Sequence, residues 1–186
     1  MSKGRSILRF ICILGVLLLF INIVPFNTKA TETTNESTEV PAYAYSNSNI
    51  TDIVIEEGVT KICDFAFHYC TDLTSITLPK SLIKIGDQVF GSCEQLMNVY
   101  YNGTIEDWCK IDFSSSDSNP MCYAEHFYML DENNEYYEVT EIEIPSTIVR
   151  IKMYQFYGFD NLRNVTIQEG VKVIEAKAFN SCTKLS

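Results

Sequence analysis

Residues 74–96 read TSITLPKSLIKIGDQVFGSCEQL. The pattern recurs every 23 residues, so that Ile53, Ile76 and Val99 share one phase. Two further units, at Ile142 and Val165, are also 23 residues apart. A fixed period of this length predicts a solenoid, in which each coil buries its apolar edge only against its neighbours.

A strand opens each unit. Leu73-x-x-Ile76-x-Leu78 has the spacing of a leucine-rich-repeat strand. Because side chains alternate along a strand, Ile76 and Leu78 should point into the core, and Ser75 and Thr77 should point outward. The sequence therefore predicts parallel strands that stack on a concave face, with Ile53, Ile76, Val99, Ile142 and Val165 side by side in one inward row.

A short helical turn is predicted on the convex side of each coil. Asp87 stands at an N-cap position ahead of the apolar pair Val89 and Phe90. The phenylalanines at this repeat position are expected to stack into one spine: Phe67, Phe90, Phe156 and Phe179.

The regular period is interrupted between Val99 and Ile142. These residues are 43 positions apart, which is one period plus 20 residues. We therefore predict an insertion at roughly residues 109–138. His126–Leu130 and Tyr136–Val139 look like two strands, and the Asn133-Asn134 pair between them suits a tight hairpin turn.

The repeat units resemble a known family. ITDIVIEEGVTKICDFAFHYCTDL, TSITLPKSLIKIGDQVFGSCEQL and RNVTIQEGVKVIEAKAFNSCTKL are similar to the BspA-like leucine-rich repeats of bacterial surface proteins. The resemblance covers residues 50–101 and 139–185, and the interruption YYNGTIEDWCKIDF is also familiar from that family. It implies an exported, surface-associated protein that binds other molecules, with no catalytic residues to carry over.

The fold class that we predict is an α/β solenoid of the leucine-rich-repeat type. It should contain about five 23-residue coils with parallel concave strands, short convex helical turns and one insertion bearing a β-hairpin. The repeat domain should run over residues 50–186. No polar cap is visible at its end, so we expect either a fragment of a longer protein or an end that self-association covers.

The amino end has the layout of a secretory signal peptide over residues 1–30. Lys3, Arg5 and Arg9 precede an apolar run, and small residues at Thr28 and Ala30 offer a cleavage point. An uncleaved membrane anchor is the alternative. Residues 31–49 are rich in Thr, Ser, Asn and Glu and predict a disordered linker.

Charge excludes one class of partner. Without residues 1–30 the chain has 10 Lys and Arg against 24 Asp and Glu, a net charge of −14. Nucleic-acid binding depends on cationic contacts to phosphate, so we predict no nucleic-acid partner. We also predict no membrane contact beyond the signal segment.

Three of the six cysteines that follow the signal segment share one repeat position: Cys70, Cys93 and Cys182. Phe159 fills this position in another unit, which indicates a buried apolar site. A Cys70–Cys93 or a Cys109–Cys122 disulfide remains an open alternative at this point.

The insertion carries the residues that could support chemistry. Cys122 and His126 could form a nucleophile and its base, but no orienting group or oxyanion hole is recognisable nearby. A zinc site from Cys109, Cys122 and His126 would lack a fourth ligand. The acidic stretch at residues 131–135 lacks the glycine and glutamate of a calcium loop. We therefore predict no enzyme activity, metal or cofactor.

The concave face is the predicted binding surface. Its outward positions should form two columns of polar and acidic side chains, with Tyr100 as their aromatic member. The candidate contact residues are Asp52, Ser75, Thr77, Asn98, Tyr100, Glu141, Glu143, Asn164 and Thr166.

The function that we predict is non-covalent binding of an unknown protein or glycan, by a protein that is secreted or held at the cell surface, as in adhesion. A structural spacer within a longer surface protein is the first alternative. An enzyme that uses Cys122 and His126 is the second. The sequence does not indicate an oligomeric state.

Overall fold

The computed structural model describes residues 38–186. Residues 1–37, with the predicted signal peptide and the first part of the predicted linker, lie outside the described residues. The elements of the described part are β1 Glu39–Val40, β2 Asp52–Val54, β3 Lys61–Ile62, β4 Ser75–Leu78, β5 Lys84–Ile85, β6 Asn98–Tyr101, α1 Ile105–Trp108, β7 Asp112–Phe113, β8 His126–Leu130, β9 Tyr136–Glu138, β10 Glu141–Ile144, β11 Arg150–Ile151, β12 Asn164–Ile167 and β13 Val173–Ile174.

The strands stack in parallel, which confirms the predicted solenoid. The concave sheet has the order β2-β4-β6-β8-β9, and a second sheet of shorter strands has the order β1-β3-β5-β7. Farther along the chain, β10 pairs in parallel with β12, and β11 with β13. Each regular coil thus contributes one strand to the concave side and a two-residue strand to a second sheet.

The inward residues of the first three concave strands form the core in the predicted register. Ile53 lies beside Ile76 and Ile76 beside Val99, and all three are buried. The next residue in the row is Phe127 of β8, whereas Ile142 belongs to the separate two-stranded sheet. The prediction of one row through all five units was therefore wrong beyond Val99.

The coil that begins at β6 is longer than the others, and we call residues 98–125 the long coil. It contains α1. Asp112 of β7 pairs with Lys84, and His126 of β8 pairs with Asn98, in each case five positions beyond the place that the regular period would give.

β8 takes the place of the next concave strand after the long coil. The hairpin through β9 then leads to β10, so that less than one period separates the starts of β8 and β10. The solenoid therefore has six parallel concave strands instead of five.

The predicted hairpin is present. β8 and β9 are antiparallel, with Met129 opposite Tyr137. Asn134 has a φ of 59°, the left-handed conformation that asparagine tolerates in tight turns. The hairpin is thus confirmed, although β8 also belongs to the parallel sheet.

The convex turns of the regular coils are not helical, against the prediction, whereas the long coil has short 3-10 helices at Ser116–Ser118 and Pro120–Cys122. In the regular turns alternate N–H groups donate to carbonyls of the next coil, as from Phe65 to Asp87 and from Phe67 to Val89, so that consecutive helical hydrogen bonds cannot form. A φ near +60° also interrupts a right-handed helix. Such positive φ values recur in pairs four residues apart: Tyr43 and Asn47, Phe65 and Tyr69, Gln88 and Ser92, Tyr154 and Gly158, Lys177 and Ser181.

Residues 38–49 form half a coil, so the linker prediction was wrong for them. β1 pairs in parallel with β3, and the rings of Tyr43 and Tyr45 stack on Phe65 and Phe67 at 5.1 Å between centroids. The sequence separation of each stacked pair is shorter than the period by a single residue. Because of that difference, the half coil does not fit the repeat pattern of the sequence.

The spine of phenylalanines is split into two stacks. Phe67 stacks on Phe90 at 5.7 Å, and Phe156 stacks on Phe179 at 5.1 Å. The larger offset of the long coil places Ser118 at the spine position that follows Phe90. Ser118 is fully buried, and its hydroxyl donates to a backbone carbonyl of the preceding coil. A hydroxyl thus replaces the ring that a single spine would need.

Trp108 joins the long coil to the coil that begins at β10. Its ring is fully buried and packs on Phe127 and Phe159, with centroids 4.8 and 5.8 Å away. The indole N–H donates to the carbonyl of Gln155 at 2.7 Å, and the Gln155 amide donates back to the carbonyl of Trp108. Gln155 occupies a repeat position that Ala178 fills one coil later. The bond from the Gln155 amide to Trp108 favours a glutamine at this otherwise apolar position, although its buried Oε1 has no hydrogen-bond partner within residues 38–186.

The six cysteines of the described residues are free thiols. Cys70, Cys93 and Cys182 each donate an S–H to a backbone carbonyl of the preceding coil, at 3.0, 3.2 and 3.1 Å. Their shared repeat position is therefore a buried thiol position. Neither disulfide left open by the sequence is formed.

The last coil leaves its apolar edge exposed. Ile174 is 53% exposed, whereas Ile151, its partner in the preceding coil, is fully buried. Ile167 and Leu185 are also exposed. Within residues 38–186, no helix has the length and apolar character needed to cross a bilayer.

Candidate binding surface on the concave face

Outward side chains of the first three concave strands form two columns, as the alternation predicts. The first column is Asp52, Ser75 and Asn98, and the second is Val54, Thr77 and Tyr100. The Ser75 hydroxyl donates to the Asp52 carboxylate at 2.5 Å. This part of the surface is polar, with one carboxylate at its edge.

His126 and Tyr128 continue these columns in place of the expected glutamates. His126 lies beside Asn98, and Tyr128 lies beside Tyr100. The predicted step from the third strand to Glu141 and Glu143 was therefore wrong, because β8 and its hairpin come between. The structure divides the predicted contact residues into two groups.

Three tyrosines meet on the concave face, and we call Tyr100, Tyr128 and Tyr136 the tyrosine cluster. The rings of Tyr100 and Tyr128 stack at 4.9 Å between centroids with 17° between their planes. Tyr136 of β9 meets Tyr100 edge-on at 4.8 Å and 62°. The Tyr136 hydroxyl donates to the side-chain carbonyl of Asn102 at 2.6 Å, which fixes the orientation of its ring.

A polar network lies beside the tyrosine cluster. His126 Nδ1 is 2.8 Å from Glu138 Oε1, and the Asn161 amide donates to the same oxygen at 2.7 Å. The hydrogen bond with His126, followed by that from Asn161, holds the pKa of Glu138 below its usual range. This network ties the hairpin to the coil that contains Asn161.

The second group of predicted residues lies on the two-stranded sheet. Glu141 lies beside Asn164 and Glu143 beside Thr166. The Asn164 amide donates to the Glu141 carboxylate at 2.8 Å, and the Gln168 amide donates to Glu143. These carboxylates are exposed and hydrogen-bonded to amides, with no aromatic side chain between them among the outward residues of β10 and β12.

A family model describes nearly all of this architecture. The BspA type leucine-rich repeat region matches residues 38–134 and 132–186, with six copies. The chain belongs to the BspA-type leucine-rich repeat family. The six copies agree with the six concave strands and with a start at the half coil.

Solved structures similar to this BspA-type repeat protein are also leucine-rich repeat proteins. One from Bacteroides ovatus is 24% identical over 83% of this chain and 28% of its own, with a TM-score of 0.37. One from T. pallidum is 17% identical over 81% of this chain and 72% of its own, with a TM-score of 0.44. A leucine rich cell surface protein from Faecalibacterium prausnitzii is 18% identical over 80% and 57%, with a TM-score of 0.29. The chain thus spans less than a third of the Bacteroides ovatus protein. No curated protein matches the chain.

The structure does not join Cys122 to His126 as a catalytic pair. His126 Nδ1 lies on Glu138, and no hydrogen bond links Cys122 with His126 in the described part of the chain. Burial raises the pKa of the Cys122 thiol far above its ordinary range. A half-buried thiol that stays protonated is a poor nucleophile.

The side chains considered as metal ligands also make other contacts. Asp131 accepts backbone N–H groups from Asn133 and Glu135 at 2.8 and 2.9 Å, so that its carboxylate closes the hairpin turn. Across residues 38–186, no three His, Cys, Asp or Glu side chains gather as metal ligands.

Sequence reasoning missed the surface roles of His126, Tyr128 and Tyr136. One signal was present. His126-Phe127-Tyr128-Met129 alternates outward and inward like Asn98-Val99-Tyr100-Tyr101, but five positions out of step with the period. A search for the regular period alone cannot detect this alignment.

Proposed function

We propose that this BspA-type repeat protein is exported and binds a protein or glycan non-covalently at the cell surface through its concave face. The observation that carries the proposal is the register of the concave strands, which aligns outward side chains of successive coils into columns. Such columns form a continuous, rigid surface, which is how solenoids contact their partners.

The proposed contact surface contains the residues that the sequence singles out, in two groups. The first group is Asp52, Ser75, Thr77, Asn98 and Tyr100, to which the structure adds Tyr128 and Tyr136. The second group is Glu141, Glu143, Asn164 and Thr166.

Export and surface location are supported by the signal-peptide pattern at residues 1–30 and by the family. The described residues have ten Lys and Arg against 22 Asp and Glu. This excess of carboxylates favours solubility and a partner that is not itself anionic.

A paired comparison of variants tests the proposal. The full chain would be screened against a random peptide library and an array of immobilised glycans. A concave variant would combine Tyr100→Ala, Glu141→Gln and Glu143→Gln, and a convex control would combine Tyr69→Ala, Asp72→Asn and Glu94→Gln.

We expect the concave variant to lose binding that the control retains, while both keep the circular dichroism spectrum of the wild type. Equal binding by all three proteins would contradict the role of the concave face, and no binding by any of them would favour the structural spacer.

Thiol alkylation under native conditions tests the enzyme alternative. Burial raises the pKa of Cys93 to about 12, so that at pH 8 roughly one thiol in ten thousand is ionised. Cys122 is shifted in the same direction by burial. We expect iodoacetamide to leave Cys122 unmodified for hours, and rapid selective modification of Cys122 would favour the enzyme.

A further inference from the structure

We propose that the tyrosine cluster binds an arginine side chain of an extended peptide segment in a partner protein. The inference rests on the proposed function and specifies the chemistry of the partner for the first group of concave residues. The guanidinium group would stack on Tyr100 above Thr77 and be neutralised by Asp52.

The stack of aromatic rings ends at Tyr100. We call the space over Thr77, the next residue of that column, the open level. Tyr128 stacks on one side of Tyr100, whereas Thr77 is the neighbour of Tyr100 on the other strand. Thr77 and the next residue of the column, Val54, are short side chains. A planar group can therefore continue the stack over Thr77 with the spacing of adjacent strands, about 4.8 Å.

The cluster is held in position before any partner arrives. Tyr136 abuts Tyr100 edge-on, and its hydroxyl is bonded to Asn102. The rings of Tyr100 and Tyr128 are half-buried, and Tyr136 is 43% exposed. Rings fixed in this way lose little conformational entropy on binding, which favours affinity.

The charge around the cluster selects a cation. The chain has no Lys or Arg between Lys110 and Arg150, but nine Asp and Glu. The outward positions of β2, β4, β6, β8 and β9 also contain no Lys or Arg: Asp52, Val54, Ser75, Thr77, Asn98, Tyr100, His126, Tyr128, Leu130, Tyr136 and Glu138. One cation, Lys184, lies at the polar network, where it donates to the Asn161 side chain and acts on Glu138.

Asp52 supplies the carboxylate on the side of the open level. It lies two strands from Tyr100, is exposed, and is oriented by the hydroxyls of Ser75 and Thr51 at 2.5 and 3.0 Å. Guanidinium is planar, stacks on aromatic faces and pairs with carboxylates, so arginine matches this set of groups better than lysine does. A neutral sugar would not use the carboxylates as counter-charges.

Three labelled probes test the inference on the purified full chain. They are a heptapeptide in which three arginines alternate with glycine, the same peptide with citrulline in place of arginine, and the neutral sugar cellohexaose. Fluorescence anisotropy gives each dissociation constant at 50 and 300 mM NaCl. Citrulline keeps the shape of arginine without its charge.

We expect the arginine peptide to bind at least tenfold more tightly than the citrulline peptide and to weaken at the higher salt concentration. Tyr100→Leu should weaken binding of the arginine peptide about tenfold, and Asp52→Asn about threefold. Tyr100→Phe keeps the ring and should stay within about twofold of the wild type.

Two variants away from the cluster serve as matched controls. Tyr69→Leu removes an exposed tyrosine of the convex side, and Glu94→Gln removes an exposed carboxylate of the same side. Both should leave the affinity unchanged within about twofold.

Equal binding of the citrulline and arginine peptides, or no binding of either, would overturn the inference. The proposed function is judged separately by the peptide library and the glycan array. If cellohexaose binds and Tyr100→Leu abolishes it while the arginine peptide does not bind, the inference fails and the proposed function stands.

Discussion

The regular coils and the long coil share the same parallel pairing of strands but differ in length and in the elements they contain. Between regular coils, the ladder of strand pairs follows the period of the repeat, and outward side chains such as Ser75 and Thr77 are small and polar. The strands that follow the long coil still pair with the strands before it, at an offset five positions longer than the period. The long coil contains α1 and is followed by the strand that carries Tyr128. The difference shows that this solenoid tolerates a change of coil length because each coil is bonded only to its neighbours.

The long coil also makes contacts that regular coils do not make. Trp108 and Gln155, which exchange hydrogen bonds, are 47 residues apart, about two periods. The long coil therefore connects parts of the solenoid that otherwise interact only through the hairpin. Variants at these contacts should distinguish this bridging role from ordinary nearest-neighbour stacking.

The largest effect is expected for Trp108→Ala. Removing this fully buried ring leaves a cavity between Phe127 and Phe159. The free energy of unfolding should fall by roughly 3–5 kcal/mol, measured by urea denaturation. Trp108→Phe keeps most of the packing and should cost less. A loss below about 1 kcal/mol for Trp108→Ala would contradict the bridging role.

Gly158→Ala should cost about 1–3 kcal/mol, by overpacking. Gly158 has a φ of +76°, and a Cβ there would lie 2.2 Å from the carbonyl oxygen of Met121 in the long coil. Ser181 takes the same repeat position with a φ of 63° in the last coil, one coil farther from the long coil. Ser181→Ala is therefore the matched control and should change the thermal midpoint little. Equal effects of the two substitutions would show that the long coil does not constrain Gly158.

Gln155→Ala restores the residue that Ala66 and Ala178 provide in regular coils, yet it should destabilise the protein. It removes the side-chain donor to the Trp108 carbonyl, which then keeps only the hydrogen bond from the Ile111 N–H. We expect a loss of about 1–2 kcal/mol in urea denaturation. A gain in stability, as a consensus substitution would normally give, would show that the bond contributes nothing.

Much of this arrangement could be predicted from sequence, and the errors have physical causes. The inward row Ile53, Ile76 and Val99 follows from the period, because ladder bonds repeat at a fixed offset. The row fails at Phe127, because five extra residues around α1 shift the phase while the backbone ladder continues. The period of the side-chain pattern cannot reveal such a shift, because the backbone strands remain paired although the coil between them is longer.

The convex turns were mistaken for helices for a related reason. An N-cap residue followed by apolar positions is typical of a helix start, and Asp87, Val89 and Phe90 have that pattern. In this solenoid, however, alternate N–H groups of these turns bond to the next coil, which prevents consecutive helical hydrogen bonds. The binding surface was predicted in part: Tyr100 was found from its column, but Tyr136 reaches it from an antiparallel strand outside the repeat.

The smallest effect concerns pH and the network beside the tyrosine cluster. Because the folded-state pKa of Glu138 lies below 4.5, its hydrogen bonds stabilise the fold fully above pH 4.5 and are lost as the pH falls through the folded-state pKa. Glu138 is about one-third exposed, so the effect should stay below about 1 kcal/mol.

Urea midpoints at pH 6 and pH 3.5 measure this contribution. Glu138→Gln should narrow the difference between the two midpoints, and Glu94→Gln, at an exposed convex site, is the control. An unchanged difference for Glu138→Gln would show that the network does not contribute to stability.

The thiols at the shared repeat position have a consequence for how the chain reaches its fold. Cys70, Cys93 and Cys182 each anchor their own coil to the one before it through an S–H hydrogen bond, with no covalent link to be made or rearranged. Assembly of these coils therefore requires neither an oxidant nor thiol exchange, the slow steps of many exported proteins. Each coil can dock as soon as its predecessor is in place, and a reducing environment leaves the stacking intact.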